Sequence, residues 1–201
     1  MNSPYADVSP SNWLSITQGL VERHPLSTDA IVDVVLTSWQ SIFNSQLGTK
    51  GFRIGRDIFP KPQIMGFLLH ELIPLELKAK YPDLWRGDIS ISDKDIVYIP
   101  DDFFSIEVKT SSDPRHIYGN RSYAQNSNNS KKGKSGYYLA VNFEKFSNTT
   151  NPQIKLIRFG WIDSGDWIGQ KAATGQQSRL SSDVENYKLL QLYLKIYNND
   201  P

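Results

Sequence analysis

The stretch Lys94-Asp95-Ile96-Val97-Tyr98-Ile99-Pro100-Asp101-Asp102-Phe103-Phe104-Ser105-Ile106-Glu107-Val108-Lys109-Thr110 decides how this chain is read. Residues 96–99 and 103–110 are rich in β-branched and aromatic side chains, and Pro100, Asp101 and Asp102 between them are turn formers. The stretch therefore predicts two strands joined by a short turn. Side chains alternate between the two faces of a strand. In the second strand Phe104, Ile106 and Val108 are expected on the core face, with Ser105, Glu107 and Lys109 on the other. Glu107 and Lys109 then stand side by side, and Asp95, opening the first strand, comes opposite Glu107.

Two carboxylates held close together repel each other unless a cation sits between them. Hard oxygen donors suit Mg²⁺, with Mn²⁺ as a possible substitute, and the backbone carbonyl of Val108 could add a further ligand. Such an ion polarises a phosphate ester and lowers the pKa of a bound water. The Lys109 ammonium beside it could orient that water, help deprotonate it, or stabilise charge developing on the phosphate. By itself Glu-x-Lys is also a common surface ion pair. Spacing alone does not settle the first acid either. Asp83, in the literal Pro82-Asp83 pair, and Asp88 compete with Asp95. Asp95 is preferred because it begins an apolar strand and leaves only a short turn before Glu107.

Upstream the period is helical. Trp13, Ile16, Leu20 and Val21 recur at helix spacing before His24-Pro25 closes the element, and Ser27 or Thr28 can cap a second helix carrying Ile31, Val34, Val35, Ile42 and Phe43, with Gly48 as its stop. A third helix is expected from Pro62, with Ile64, Phe67, Leu68, Leu72 and Leu75 on its buried face and Pro74 kinking or shortening it. Downstream, residues 136–143 and 154–161 continue the sheet. Leu190, Leu192, Leu194 and Ile196 favour a late strand, with a helix as the alternative. Helices first and strands after imply an α/β or α+β fold, a mixed β-sheet flanked by helices with a mainly helical N-terminal part, read as a single domain over 1–201.

The absence of cysteine excludes disulfides, thiolate metal sites and a cysteine nucleophile, and is compatible with a cytoplasmic location. The polar start lacks the pattern of a signal peptide, and no apolar run is long enough to cross a membrane. There is no phosphate loop ending in Lys-Ser/Thr, so no nucleotide cofactor is expected, and no Gly-x-Ser-x-Gly elbow. His24, His70 and His116 are not at zinc spacing. Of the three, only His116 is expected near the proposed centre.

The chain carries a formal charge of +1, but residues 109–135 hold six Lys or Arg against one Asp, a local +5. This segment is either an anion-binding surface or a solvated loop. Thr110, Ser111 and Ser112 could bond phosphates or merely end the strand. Arg115, Asn120, Arg121, Tyr123 and Gln125, and further on Gln170, Lys171, Gln176, Gln177 and Arg179, have the side-chain chemistry that grips phosphates and reads base edges in double-stranded DNA. Their bland alternative is polar connecting chain. Trp161 and Trp167 are read as packing residues.

Longer stretches add to these short motifs. They are Pro60-Lys61-Pro62-Gln63 with Leu69-His70-Glu71-Leu72-Ile73-Pro74, the run 94–112, Ile117-Tyr118-Gly119-Asn120-Arg121-Ser122-Tyr123-Ala124, the run 135–143, Arg158-Phe159-Gly160-Trp161, Asp166-Trp167-Ile168-Gly169-Gln170 and Thr174-Gly175-Gln176-Gln177. Over about residues 12–180 the chain resembles the ScaI-type family of type II restriction endonucleases, in the PD-(D/E)xK nuclease superfamily, with Glu107-Val108-Lys109 as the (D/E)xK element. The superfamily's first acid often follows proline, whereas Asp95 follows Lys94. The resemblance implies a restriction-endonuclease-like core, Mg²⁺-dependent cleavage of palindromic double-stranded DNA, a two-fold homodimer, and an additional acid from the third helix, for which Glu71 is the candidate. The rivals are a structure-specific nuclease on the same scaffold and a DNA-binding module that does not cut.

Overall fold

The computed structural model describes residues 3–124, 133–172 and 174–196. Three helices come first: α1 (Trp13–Glu22), α2 (Thr28–Asn44) and α3 (Pro62–Lys80). Ser27 caps α2 by accepting from the Ala30 amide at 3.2 Å, and Asp29 in the first turn suits the positive end of the helix dipole. The helix stops at Asn44, before the expected Gly48. Gly48 instead takes a left-handed φ of 68° in a loop closed by paired hydrogen bonds between Leu47 and Phe52.

The long helix α3 starts on Pro62, where a missing amide costs nothing, and runs through Pro74 to Lys80. Its buried residues are Met65, Gly66, Leu69, Ile73, Pro74 and Leu77. The expected face was out of phase: Ile64, Phe67 and Leu75 are more than half exposed, while Leu68 and Leu72 are half-buried. The helix is apolar around most of its circumference, so close approach selects the face. A Cβ on Gly66 would stand 2.6 Å from Thr110 Oγ1, and only a bare backbone lets α3 lie this tightly on the sheet.

The six-stranded sheet has the order β1-β2-β3-β5-β6-β9. Its strands are β1 (Trp85–Gly87), β2 (Ile96–Tyr98), β3 (Ile106–Ser111), β5 (Gly136–Phe143), β6 (Ile154–Ile162) and β9 (Leu189–Leu194), and only β3–β5 is a parallel pair among them. A second sheet, β4-β8-β7, joins β4 (Tyr118–Asn120), β8 (Gln177–Arg179) and β7 (Ile168–Gly169). The turn before β3 is longer than expected, because Asp102–Phe104 form a 3₁₀ turn capped by Asp101. Phe104 therefore precedes the strand. The Ser105 hydroxyl accepts from the Tyr98 amide, where a ladder bond would otherwise stand.

Every residue of β5 is buried, which fits a strand covered on both sides. Tyr137, Leu139, Val141 and Phe143 pack in one cluster with Ile106, Val108 and the three helices. Tyr138 and Ala140 join a second cluster with Ile117, Trp167, Leu180 and Val184. The central strands thus form a floor with helices on one side and the small sheet on the other. No helix among the described residues is long and apolar enough to cross a membrane.

His24 lies in the first cluster among Trp85, Phe104, Tyr137 and Phe159. The Leu26 amide donates to Nδ1 and Nε2 lies 3.0 Å from the Phe104 carbonyl, so the network assigns the proton to Nε2. Burial outweighs these carbonyl contacts and pushes its pKa below the ordinary value of 6.5. The unfolded chain then binds a proton that the folded chain refuses, so stability is lost as pH falls from 6.5 through the lowered value and regained as pH rises. Denaturant unfolding of wild type and His24→Gln on either side of this window should show a steeper loss for the wild type. Parallel pH dependences would refute the assignment.

Candidate active site

The Ile96–Ile106 register ends the β2–β3 ladder one step short of Asp95 and Glu107. Asp95 fills the gap, its Oδ2 accepting the Val108 amide at 2.7 Å. The amide and carbonyl of one strand residue face the same edge, so the Val108 carbonyl is turned toward Asp95. Glu107 and Lys109 project from β3 on the same face, as strand alternation requires. Lys109 Nζ donates to Glu107 Oε1 at 2.7 Å and to the Val108 carbonyl at 3.2 Å.

This cluster is enclosed. Glu107 is only 2% exposed, and the Tyr123 hydroxyl donates to its Oε1 at 2.5 Å. The Tyr123 ring lies under Lys109 Nζ at 4.7 Å and against Trp167 at 5.1 Å. Burial pushes the Tyr123 phenol well above its usual pKa, helped by the Glu107 charge, the hydrogen bond to Glu107 and the Asp95 charge. Glu107 and Asp95 also act together on Tyr138, so both carboxylates share one electrostatic neighbourhood.

Beside the cluster lies a cleft of about 860 Å³ between α3 and the end of β3. Asp95, Asp88, Glu71, His70, Thr110 and Ser111 line it, as do Ser112 and Asp113. The wall is acidic. Burial opposes ionisation of Asp113, yet amide donation from Arg115 and His116 and the proximity of His116 and Tyr118 hold its carboxyl below the usual range. Asp88 lies on this wall, whereas Asp83 lies exposed in the turn after α3 and does not border the cleft. Glu71 is on the cleft wall too and is exposed, because the phase of α3 turns it away from the buried face.

His70 is the residue the sequence did not reveal. Its Nδ1 lies 3.8 Å from Asp95 Oδ2. His116, expected nearer, instead bonds Glu185 at 2.8 Å behind the strand end. No spacing marked His70, since the contact joins α3 to the start of β2.

The small sheet gathers most of the polar residues proposed to face DNA. Asn120 pairs with Gln177 across β4–β8, Arg179 with Tyr118, and Gln170, Lys171 and Gln176 are exposed nearby. Arg121 turns inward to the adjoining loop, its amide donating to the Gln176 carbonyl and its guanidinium to the Gly175 carbonyl. Arg115 lies apart, bonded to Asn186. Gln125 and most of the basic run after it lie outside the described residues. Trp161 and Trp167 are buried, in keeping with packing roles.

Among the described residues no three His, Cys, Asp or Glu side chains gather closely enough to hold an ion alone. Asp95, Glu107 and the Val108 carbonyl nevertheless form an oxygen donor set beside an acidic cleft. That set fits a hard divalent cation whose shell is completed by water and phosphate oxygens.

A profile of the ScaI restriction endonuclease family matches residues 3–193. The chain belongs to the ScaI restriction endonuclease family. The Type II restriction enzyme ScaI of Streptomyces caespitosus is 51% identical over 195 residues, covering 96% of this chain and 85% of that protein. ScaI-family membership makes the activity class that of a site-specific deoxyribonuclease, and type II restriction endonucleases are generally metal-dependent.

Proposed function

We propose that this ScaI-family chain hydrolyses phosphodiester bonds of palindromic double-stranded DNA with Mg²⁺, acting as a two-fold homodimer in the cytoplasm. One observation carries the proposal: the Lys109 ammonium is held 2.7 Å from the Glu107 carboxylate, beside a β-strand edge on which Asp95 is pinned. Asp95, Glu107 and the Val108 carbonyl would hold Mg²⁺, or Mn²⁺ in its place. When bound, the ion supplies Lewis-acid activation of the scissile phosphate and of water. Lys109 orients the attacking water and offsets negative charge on the phosphate as it forms. Glu71, on the cleft wall, would support the cation. Thr110, Ser111 and Ser112 border the path of the DNA backbone, and the small sheet presents Asn120, Gln170, Lys171, Gln176, Gln177 and Arg179 to phosphates and base edges. A two-fold dimer matches the symmetry of a palindromic site.

Plasmid DNA incubated with the purified protein and Mg²⁺ should give discrete fragments sharing one end sequence, and EDTA should abolish them. Cleavage independent of sequence would favour a structure-specific nuclease. Binding without cleavage would favour the non-catalytic reading, and full activity in EDTA would end the metal mechanism.

A further inference from the structure

Glu107 faces an element that the proposed chemistry does not use. Tyr123 donates to Glu107 Oε1, the same oxygen that Lys109 bonds, and its ring rests against Lys109. Asp95 lines the open cleft, but neither Glu107 nor Lys109 contributes to the cleft wall. The Glu107 carboxylate is only 2% exposed, and the phenol hydroxyl occupies one of its oxygens.

Tyr123 is itself held by the recognition elements. It belongs to the 3₁₀ turn Arg121–Ala124, which follows β4 directly. The Arg121 amide is tied to the Gln176 carbonyl at 2.8 Å, and its guanidinium to the Gly175 carbonyl at 3.1 Å. The Gly119–Ser178 pairing closes the same unit, and a Cβ on Gly119 would meet both Ser178 Oγ at 2.9 Å and the Tyr123 ring at 3.2 Å. A shift of Gly175, Gln176 and strand β8 therefore reaches Tyr123 through direct bonds and packed atoms.

We propose that Tyr123 is a positioning residue that latches Glu107 in the DNA-free chain and is withdrawn when the small sheet engages its DNA sequence, so that recognition opens the metal-binding carboxylate. This rests on the metal-dependent reading above. At a wrong sequence the latch stays closed, Glu107 remains capped and the cation is not gathered. Tyr123 thus contributes to sequence discrimination without reading a base.

The test is Tyr123→Phe, which keeps the ring against Lys109 and Trp167 and removes only the hydroxyl. Without DNA, Mn²⁺ binding measured by calorimetry should tighten by about tenfold, the weight of one charge-assisted hydrogen bond. The ratio of cleavage at the cognate site to cleavage at sites one base pair different should fall by a similar factor. Unchanged Mn²⁺ affinity with an unchanged ratio overturns the latch. So does equal loss of cleavage at all sites with unchanged Mn²⁺ affinity, since that is the signature of a merely structural tyrosine. Glu107→Gln in the Tyr123→Phe background separates the two levels: if the double variant binds Mn²⁺ as tightly as Tyr123→Phe alone, the metal reading fails whatever the latch does.

Discussion

Glu107→Gln is expected to lower cleavage by at least about 1000-fold while DNA binding is largely retained. The substitution keeps size and shape, so the Tyr123 hydroxyl still has a carbonyl oxygen to donate to. What is lost is a negative charge buried beside Lys109, at 2.7 Å from its ammonium. The amide cannot help neutralise a divalent cation, and Lys109 loses the partner that fixes its position. Lys109→Ala should lose cleavage in the same way, because the contacts proposed for DNA lie mainly on the small sheet and the cleft rim. Single-turnover cleavage and a filter-binding titration check both variants. Cleavage within about tenfold of wild type for Glu107→Gln would remove this carboxylate from the mechanism.

Arg158→Leu should destabilise the fold by about 3–5 kcal/mol, measured by denaturant unfolding. Arg158 is 3% exposed, and its guanidinium lies 3.8 Å from the equally buried Glu185 carboxylate. It also donates to the Arg115 carbonyl and to Asn142 Oδ1. Glu185 accepts from the Ile117 amide and bonds His116, while Asn142 donates to the carbonyls of Asp113 and His116. This buried polar cluster clamps the turn that carries the chain from β3 to β4. Removing Arg158 leaves a buried carboxylate without its permanent cation. Adding Glu185→Leu should recover only part of the loss, because the Ile117 amide then goes without its acceptor. A loss below about 1 kcal/mol would mean that the cluster relaxes into solvent.

Strand β3 was legible because it obeys strand alternation, which fixes Glu107 and Lys109 on one face by spacing alone. The strand-rich middle was legible as runs of β-branched and aromatic residues, and the late strand β9 by the alternation of Leu190, Leu192 and Leu194. The orientation of α3 was not. With apolar residues at 64, 65, 67, 68, 69, 72 and 73, its period selects no single face, and the choice is made by the fit of Gly66 against Thr110. The same choice of face sets Glu71 and His70 on the cleft wall, where no spacing announces them. The small sheet was read as loops because strands of two or three residues are too short to display a period. Tyr123 has the side-chain chemistry of a DNA-facing residue, and its bond to Glu107 is invisible in the sequence because the two are 16 positions apart and only the folded chain brings them together.

The parallel pairing of β3 with β5 has a consequence for how such a protein can change. Two parallel neighbours cannot be joined by a tight hairpin; the chain must travel back to the starting end of the sheet, and that return takes a dozen residues or more. Here residues 112–135 make the return, and β4 and Tyr123 lie along it. A detour that topology demands anyway carries residues proposed to meet the DNA. The connection can vary in length and composition while the register of β3 stays fixed, so the proposed DNA-facing residues can change without rebuilding the proposed catalytic centre.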